Sequence, residues 1–595
     1  MNTMKNSSLD YSRLDEIVQL IKAELSKPSI RCLNNRAVQA KVFQIPEVSS
    51  YMSDLRRVEE SIRQEILEKM SFLIHKFQEH SMDVTLARAG ILPDGRIHAG
   101  SSLDDNKEFD LLCLDAKERL YMVLNQYDWL KDFNRFYPQH FYENSFQFVE
   151  RIPPKKLQVK VKVVGLGIGG SLAVSGLKKN GVESVVGYDK RARNGPRAVT
   201  SRFQNASWRA YDVAEKMLDE EAFQHLVEYQ QRINVTYDDG TSKVMSSDRV
   251  QIILGDAVDS ALESAERLGA DLRFECDASH FCKDETTLSG ENDNDADIVA
   301  LFAGAHTYAL VPGLKDAMNI HSWMDLSSPC RLWLEIKPSN KTCAYTARDI
   351  EDGAEKWHFT IEASRDSAKD LIRIRDNLIA LHDWNLLKIE KSGGIAMDKA
   401  SEIERHEVAM SKVEKLLNHL EENKDGGKTE RYDYVFSNAP DNEYNRAKAD
   451  EAKKRGNVVL EGQYTVDVGI ASNAIVDSST DIGEQILEKI GTQLIVIGGD
   501  ACVGPNPMAA YGATLACEFA ELLVNLSVAH GHINSIISSM NKNGSFESDW
   551  LKMLHELKNL FTRYYDSHGR SENYFQWMQT LICNLYSLPP QVEVE

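Results

Sequence analysis

An α/β fold, flanked at both ends by helical regions and interrupted by a β-rich insertion, is the architecture this sequence predicts. Three observations carry it. Apolar residues recur at helical spacing towards both ends of the chain. The period changes to a β-branched run at Val159. From about Cys330 to Ile361 apolar and polar residues alternate. A length of 595 residues exceeds one ordinary domain. With 42% hydrophobic and 27% charged residues, the chain can bury a large core and is neither fibrous nor disordered. Its 90 acidic against 69 basic residues leave a net charge of −21. A surface that acidic disfavours general nucleic-acid binding and docking on anionic membranes, so no nucleic-acid or membrane partner is expected.

Residues 1–155 form the N-terminal, mainly helical region. Helical spacing starts at Ile17, returns over Val58 to Phe77 and again over Glu118 to Phe136, and the pair Pro153-Pro154 closes the region. The residues Val159, Val161, Val163 and Val164 then predict a buried strand. It runs into Gly165-Leu-Gly167-Ile-Gly169-Gly170, a helix over Ser171 to Asn180, a terminating Gly181 and a second strand over Val182 to Tyr188. Residues 249–268 pattern as an amphipathic helix, followed by a strand at Asp271 to Cys276. An acidic loop at 290–295 precedes the apolar strand Ile298 to Phe302. The alternating segment from Cys330 belongs to a separate sheet. Ser401 to Glu422 is a charge-laced helix, and Gly462 to Val476 returns to strand patterning. Leu494 to Ile497 is a last buried strand and Met508 to Leu526 an apolar helix. The tail over 530–590 is helical, and its aromatics (Phe561, Tyr564, Tyr565, Tyr574, Phe575, Trp577) read as helical core or cap, not as a substrate box.

The glycine segment carries chemistry. In Gly165-x-Gly167-x-x-Gly170 the first glycine permits a tight turn and the second lets a diphosphate approach the backbone. The third lets the helix lie close to the strand, with its N-terminal N–H groups aimed at the phosphates. Asp189 follows 24 residues after Gly165, at the end of the second strand, where a carboxylate can accept from ribose hydroxyls. The segment therefore predicts a Rossmann-type dinucleotide site. Lys190, Arg191, Arg193, Arg197 and Arg202 form a basic cluster beyond it, so the motif by itself fits NADP as well as a flavin dinucleotide.

Two further segments bear on that choice: Phe302-Ala-Gly-Ala-His-Thr307, and Gly498-Gly499-Asp500 with Pro505-Asn-Pro507 and Gly512 beyond. Together with the glycine turn they resemble the fingerprints of the class A FAD-dependent monooxygenases, the flavoprotein aromatic-hydroxylase superfamily. Gly499-Asp500 resembles that family's GD motif, whose Asp binds the flavin-side ribose. Pro507 and Gly512 fall where the family has a proline and a glycine beside the isoalloxazine, and Arg197 where it has an Arg after the second strand. The middle segment follows the family's DG motif except that Ala303 stands where the Asp should be. Arg197 to Asp212 and the helix from Arg249 look closer to the actin-oxidising (MICAL) branch. The resemblance covers roughly 159–526.

The resemblance implies a Rossmann-type FAD-binding domain assembled from 156–330 and 480–530. A β-rich substrate domain of sheet and helices, 331–479, is inserted between them, and a helical C-terminal region, 531–595, follows. It implies FAD as cofactor, NADPH or NADH as electron donor, and an organic substrate oxidised through a flavin C4a-hydroperoxide. The cofactor contacts it implies are Gly165, Gly167, Gly170, Asp189, Lys190, Arg197, Gly499, Asp500, Pro507 and Gly512; no catalytic side chain is assigned. The alternatives are a flavoprotein oxidase or reductase without oxygen insertion, a MICAL-like oxidase of a protein substrate, and a scaffold with a vestigial flavin fold. A halogenase is disfavoured because the W-x-W-x-I-P motif is absent. His306 is a candidate flavin neighbour, balanced by its reading as a loop histidine without chemistry, and Trp208, Arg209 and Tyr211 are candidate pocket residues, though ordinary packing at a helix start is the preferred account of those three.

Other motifs fail. Gly426-Gly-Lys428-Thr429 lacks the upstream glycine of a phosphate loop, His406-Glu407 the second histidine of a zincin, and Asp293-x-Asp295-x-Asp297 the glycine and closing Glu of a calcium loop. His530-x-His532 has no ligand partner nearby in sequence. All four are expected at the surface, and no metal site is expected. Nine scattered cysteines without a C-x-x-C pair predict reduced thiols. The absence of a basic-then-apolar N-terminus predicts no secretory leader, and no bilayer-spanning apolar run is expected, giving a cytoplasmic location.

Overall fold

The computed structural model describes residues 11–25, 27–31, 35–88, 105–127, 129, 156–193, 202–206, 208–231, 234–236, 242–244, 250–277, 296–318, 320–322, 328–338, 346–351, 354–362, 431–440, 443–455, 458–466, 469–471, 473–502, 512–543 and 548–587. The acidic loop at 290–295 and the helix expected over Ser401 to Glu422 lie outside the described residues.

The N-terminal region contributes two long helices, α1 (Pro46–Arg88) and α2 (Asp105–Gln126). Strand β1 (Leu157–Val164) follows, then α3 (Ile168–Lys179), β2 (Val182–Tyr188), α4 (Leu254–Arg267), β3 (Asp271–Arg273) and β4 (Ala296–Leu301). Next come β5 (Ser328–Pro338), β6 (Thr346–Glu351), β7 (Ala354–Glu362), β8 (Arg431–Pro440) and β9 (Val458–Val466). The chain then returns through β10 (Ile475–Val476) and β11 (Thr492–Ile497) to two long helices, α5 (Gly512–Asn543) and α6 (Ser548–Ser587).

Two sheets result. One is six-stranded in the order β10-β11-β4-β1-β2-β3, parallel except for the edge strand β10. The other is a five-stranded antiparallel sheet in the order β6-β7-β8-β5-β9. β1 sits between two parallel neighbours and carries Leu or Val at five of its eight positions, with Gln158 and Lys160 exposed at its start. Leu157, Val159, Val161 and Val163 are all buried. Helix α3 is built from small residues and buried along most of its length because it is wedged between α4 and α5. A Cβ at Gly176 would sit 2.1 Å from Met217 Sδ and 3.0 Å from Val524 Cγ2, so glycine lets α3 lie close to α5 and to the helix Trp208–Met217.

The helical flanks do not stand apart. α1 packs on α6, α2 packs on α5, and one continuous core runs from Ile62 on α1 through the parallel sheet to Tyr565 on α6. Phe561, Tyr564 and Tyr565 are buried in that core, with Tyr127 stacked on Phe561 at 5.2 Å between centroids, as the helical-core reading of the tail expects.

The structure corrects three expectations. Residues 249–268 are not one helix: Val250–Ile253 is a strand paired with Arg202–Ala206, and only then does α4 begin. Among the described residues one helix, over Gly512–Lys542, is long and apolar enough to cross a membrane by length and composition, but 78% of its most apolar window is buried inside the protein. It is apolar because helices and sheet cover it on several sides. His530 and His532 are not surface residues; at 5% and 3% exposure both lie inside α5.

Candidate functional site

The strands β11, β4, β1 and β2 end level with one another. Val164 lies opposite both Leu301 and Tyr188, and Leu301 opposite Ile497. The segments that follow these strands therefore emerge side by side along one edge: the glycine turn from Gly165, Phe302 to Gly304, Gly498 to Ala501, and Asp189. The carboxyl ends of parallel strands are where open α/β sheets bind ligands. Residues more than 300 positions apart in sequence are neighbours here only through strand order.

Each glycine of the turn has a different reason. Gly165 holds φ +94°, which favours glycine, and a Cβ there would lie 2.7 Å from the backbone of Ala303. At Gly170 a Cβ would sit 1.9 Å from Gly165 O, and at Gly169 2.8 Å from the Phe302 ring and 2.9 Å from Ala516 O. Gly167 is the opposite case: a Cβ would meet nothing within 4 Å. It caps the N-terminus of α3 with no side-chain hydrogen bond. The first N–H groups of a helix have no intrahelical acceptor, so α3 offers donors beside the open space at Gly167, the arrangement that suits a diphosphate. Gly498 approaches the same Phe302 ring, where a Cβ would be 2.5 Å from Phe302 Cε1 and Cζ.

Asp189 is 4% exposed and its carboxylate is already in use. Oδ1 accepts from the backbone N–H and Nε of Arg191, each at 2.9 Å; Oδ2 accepts from Leu166 N–H at 3.0 Å and Arg191 Nη2 at 2.8 Å. A carboxylate offers roughly four lone-pair directions, so none is left for a ribose hydroxyl unless the Arg191 side chain moves off. Burial pushes the Asp189 carboxyl up, but the hydrogen bonds and charge of Arg191 and the Leu166 N–H together outweigh it and hold the group below the usual aspartate range.

The basic cluster beside it is also less open than its sequence implies. Arg193 pairs with Glu266 at 3.0 Å and Asp259 at 3.3 Å, and lies over the Phe274 ring. Lys190 is exposed. Asp189→Ala is expected to cost about 1–3 kcal/mol of stability even without any nucleotide, because the Leu166 N–H loses its buried acceptor and Arg191 its partner. The carboxyl is held down in the folded state, so the stability it contributes is present above the unfolded aspartate pKa and lost as pH falls through the folded value. Urea unfolding of the ligand-free protein checks this, and an unchanged midpoint contradicts it.

At the other end of the edge, Gly499 takes φ +61° and opens a 3-10 turn, Gly499–Ala501, with Asp500 in its middle. The turn is closed by Cys502 N–H donating to Gly499 O at 2.9 Å, and the Tyr308 hydroxyl donates to Ala501 O. Gly512 begins α5. His306 lies in a 3-10 segment, Gly304–Ala309, directly after the middle strand. Ala303, in place of the expected acid, lies with its backbone against Gly165. Trp208, Arg209 and Tyr211 open the helix Trp208–Met217, which packs on α3 and α5. Arg197 and Pro507 lie outside the described residues. Among the described residues no His, Cys, Asp or Glu cluster suits a metal ion, and Cys113, Cys276, Cys502 and Cys517 are free thiols.

The edge thus brings together Gly165, Gly167, Gly170, Asp189, Gly499 and Asp500. It adds residues that sequence reasoning did not single out as site residues. Arg191 stood within the basic cluster, but nothing in the sequence pairs it with Asp189, and Phe302 showed only as part of a motif.

No family model matches this chain, and no curated protein matches it. Solved structures do. The structure of CtdE in complex with FAD is 12% identical, with a TM-score of 0.34, and covers 68% of this chain and 100% of its own. The flavin-dependent brominase Bmp2 is 9% identical at a TM-score of 0.33, covering 67% and 83%. The p-nitrophenol 4-monooxygenase PnpA from Pseudomonas putida DLL-E4 is 12% identical at 0.33, covering 71% and 94%. At TM-scores this low the functional reading rests on the site itself.

Proposed function

We propose that this chain is an FAD-dependent oxidoreductase acting as a monooxygenase on an organic small molecule, with NADPH or NADH as electron donor. The observation that carries the reading is the pair of glycine turns, at Gly165 with φ +94° and Gly499 with φ +61°, set on one strand-end edge around the uncapped N-terminus of α3. The residues fit a dinucleotide. Gly167 leaves open space where a diphosphate would meet the N–H groups of α3. Asp189 would hold the adenosine ribose once Arg191 swings aside. Asp500 would hold the flavin-side sugar, and the N-terminus of α5 at Gly512 would face the ring.

Bound FAD supplies the electron transfer and the reaction with O₂. The chain's own part is to bind, orient and exclude water. Ala303 favours a second reading, an oxidase that releases hydrogen peroxide without inserting oxygen, because it places no carboxylate where the resemblance expects one.

Purified protein is expected to be yellow, with FAD released on denaturation and identified by mass spectrometry. Colourless protein that takes up no added FAD overturns the proposal. Asp500→Ala is expected to lose the flavin, because a sugar hydroxyl loses its acceptor; unchanged flavin content contradicts that role. NAD(P)H consumption and peroxide release, followed in parallel in wild type and Ala303→Asp, separate oxygen insertion from oxidase turnover.

A further inference from the structure

The last helix reaches the strand that leads into the site through a tyrosine hydroxyl. Tyr565 on α6 is 1% exposed, and its OH donates to Ile497 O at 2.9 Å. Ile497 is the last residue of β11, immediately before Gly498-Gly499-Asp500. Its N–H donates to Ala474 O at 2.9 Å, and the next N–H, of Gly498, donates to Leu301 O at 3.2 Å. Beyond this point the strand has left the ladder, so the Tyr565 hydroxyl holds the final carbonyl before the turn.

Neighbouring contacts anchor α6 at the same place. Asp566 accepts from Ala474 N–H at 2.9 Å and pairs with Arg570 at 2.9 Å. Gly569 lets the helix lie close, since a Cβ there would be 2.8 Å from Ala474 Cβ and 3.1 Å from the Phe519 ring. The Phe519 ring packs edge-on to Tyr565 at 6.1 Å between centroids. One turn along α6, His568 Nδ1 is 3.0 Å from Glu59 Oε1 on α1. Arg63 on α1 donates to Glu59 at 2.5 Å and to the Tyr564 hydroxyl at 3.3 Å. α1 is therefore tied by a partly buried polar network to the helix that holds the turn.

We propose that Tyr565 is a positioning residue for the Gly498-Gly499-Asp500 turn: through α6, the helical flanks brace the flavin half of the site and not the adenosine half. The inference rests on the flavin reading above. Its logic is geometric. The adenosine half is built on β1, α3 and β2, which make their own turn and cap. The flavin half is a three-residue turn at the end of β11, and the backbone carbonyl that leads into it is held by α6.

The test compares FAD with ADP, which occupies only the adenosine and diphosphate half, in wild type, Tyr565→Phe and Thr562→Val. Tyr565→Phe is expected to weaken FAD about tenfold, the effect of one lost buried hydrogen bond, while ADP affinity stays within about twofold. Thr562→Val loses a hydroxyl on the same helix that meets His530 and Lys558 O, not Ile497 or the Glu59–Arg63 network, and is expected to leave the FAD-to-ADP ratio unchanged. A merely structural role for Tyr565 would lower thermal stability and weaken both ligands alike, or neither; either result overturns the proposal. Should Tyr565→Phe not fold, Gly569→Ala, which pushes α6 off Ala474 and Phe519, reads the same split, and equal weakening of the two ligands overturns the brace. Wild-type protein that binds ADP but not FAD, or neither, removes the flavin reading and the brace with it; wild type that binds FAD while the variants keep its ratio removes the brace alone.

Discussion

Gly170→Ala is expected to destroy the nucleotide site and to destabilise the protein by more than about 3 kcal/mol, whereas Gly167→Ala leaves stability nearly unchanged. The added methyl at Gly170 would lie 1.9 Å from Gly165 O and 3.0 Å from Gly165 C. Both are backbone atoms of a turn that is itself pinned, because Gly165 N–H donates to Tyr188 O at 2.8 Å and its Cα faces Ala303. Neither side can give way by a rotamer change. The helix would have to part from β1, exposing the apolar contacts of α3 with α4 and α5. At Gly167 the same methyl meets nothing within 4 Å and the backbone stands at φ −72°, which any residue adopts. There it would fill only the space where a diphosphate is expected. Urea-unfolding midpoints and flavin content of the two variants give the contrast: Gly170→Ala should lose both, and Gly167→Ala only flavin. A Gly170→Ala protein with wild-type stability would show that the close approach of α3 is not what the sequence protects.

The second large effect is a loss of stability in mild acid that His530 accounts for. Its ring is buried in α5, with Nε2 3.0 Å from Thr562 Oγ1 on α6. Burial, helped by the nearby Lys558 ammonium, pulls its pKa down from 6.5 to about 3. The unfolded chain therefore binds a proton that the folded chain refuses between those two values. The stability from keeping His530 neutral is fully present above about pH 6.5 and falls progressively towards pH 3. At pH 5 the loss from this one group amounts to about 2 kcal/mol, at 1.36 kcal/mol per pH unit. His530→Gln is expected to be less stable at neutral pH but to lose about 2 kcal/mol less than wild type between pH 7 and pH 5. Carboxylates that titrate in the same range are common to both proteins and cancel in the difference. Equal slopes for the two proteins would contradict the assignment.

The elements that carry the candidate site were legible because each has a local cause. β1 places buried valines at 159, 161, 163 and 164 between two parallel neighbours, and the glycine turn shows its spacing directly. β4 and β11 are short apolar runs bounded by turn residues, and α3 ends where Asn180 and Gly181 stop it. The boundaries of α4 and α5 were less legible. Val250–Ile253 shares the apolar character of the helix after it, and pairing with Arg202–Ala206, distant in sequence, decides that it is a strand. α5 begins at Gly512 and runs past residue 530 to Asn543 because its apolar residues continue to meet cover. His530 and His532 were misplaced for the same reason: a polar residue on an apolar helix shows no sign of burial until the helices that cover it are known.

Alone, the sequence determined the glycine turns, the strands that precede them and the helical character of both ends, all of which depend on residues within a few positions of one another. The tertiary structure decided what those pieces meet. It levelled the ends of β11, β4, β1 and β2 so that Gly165, Ala303 and Gly499 share one edge. It closed Arg191 over Asp189, and it brought Tyr565 from the last helix against Ile497. Those pairings depend on strand order and helix packing across hundreds of residues, where no spacing in the chain records which backbone carbonyl a distant hydroxyl will reach.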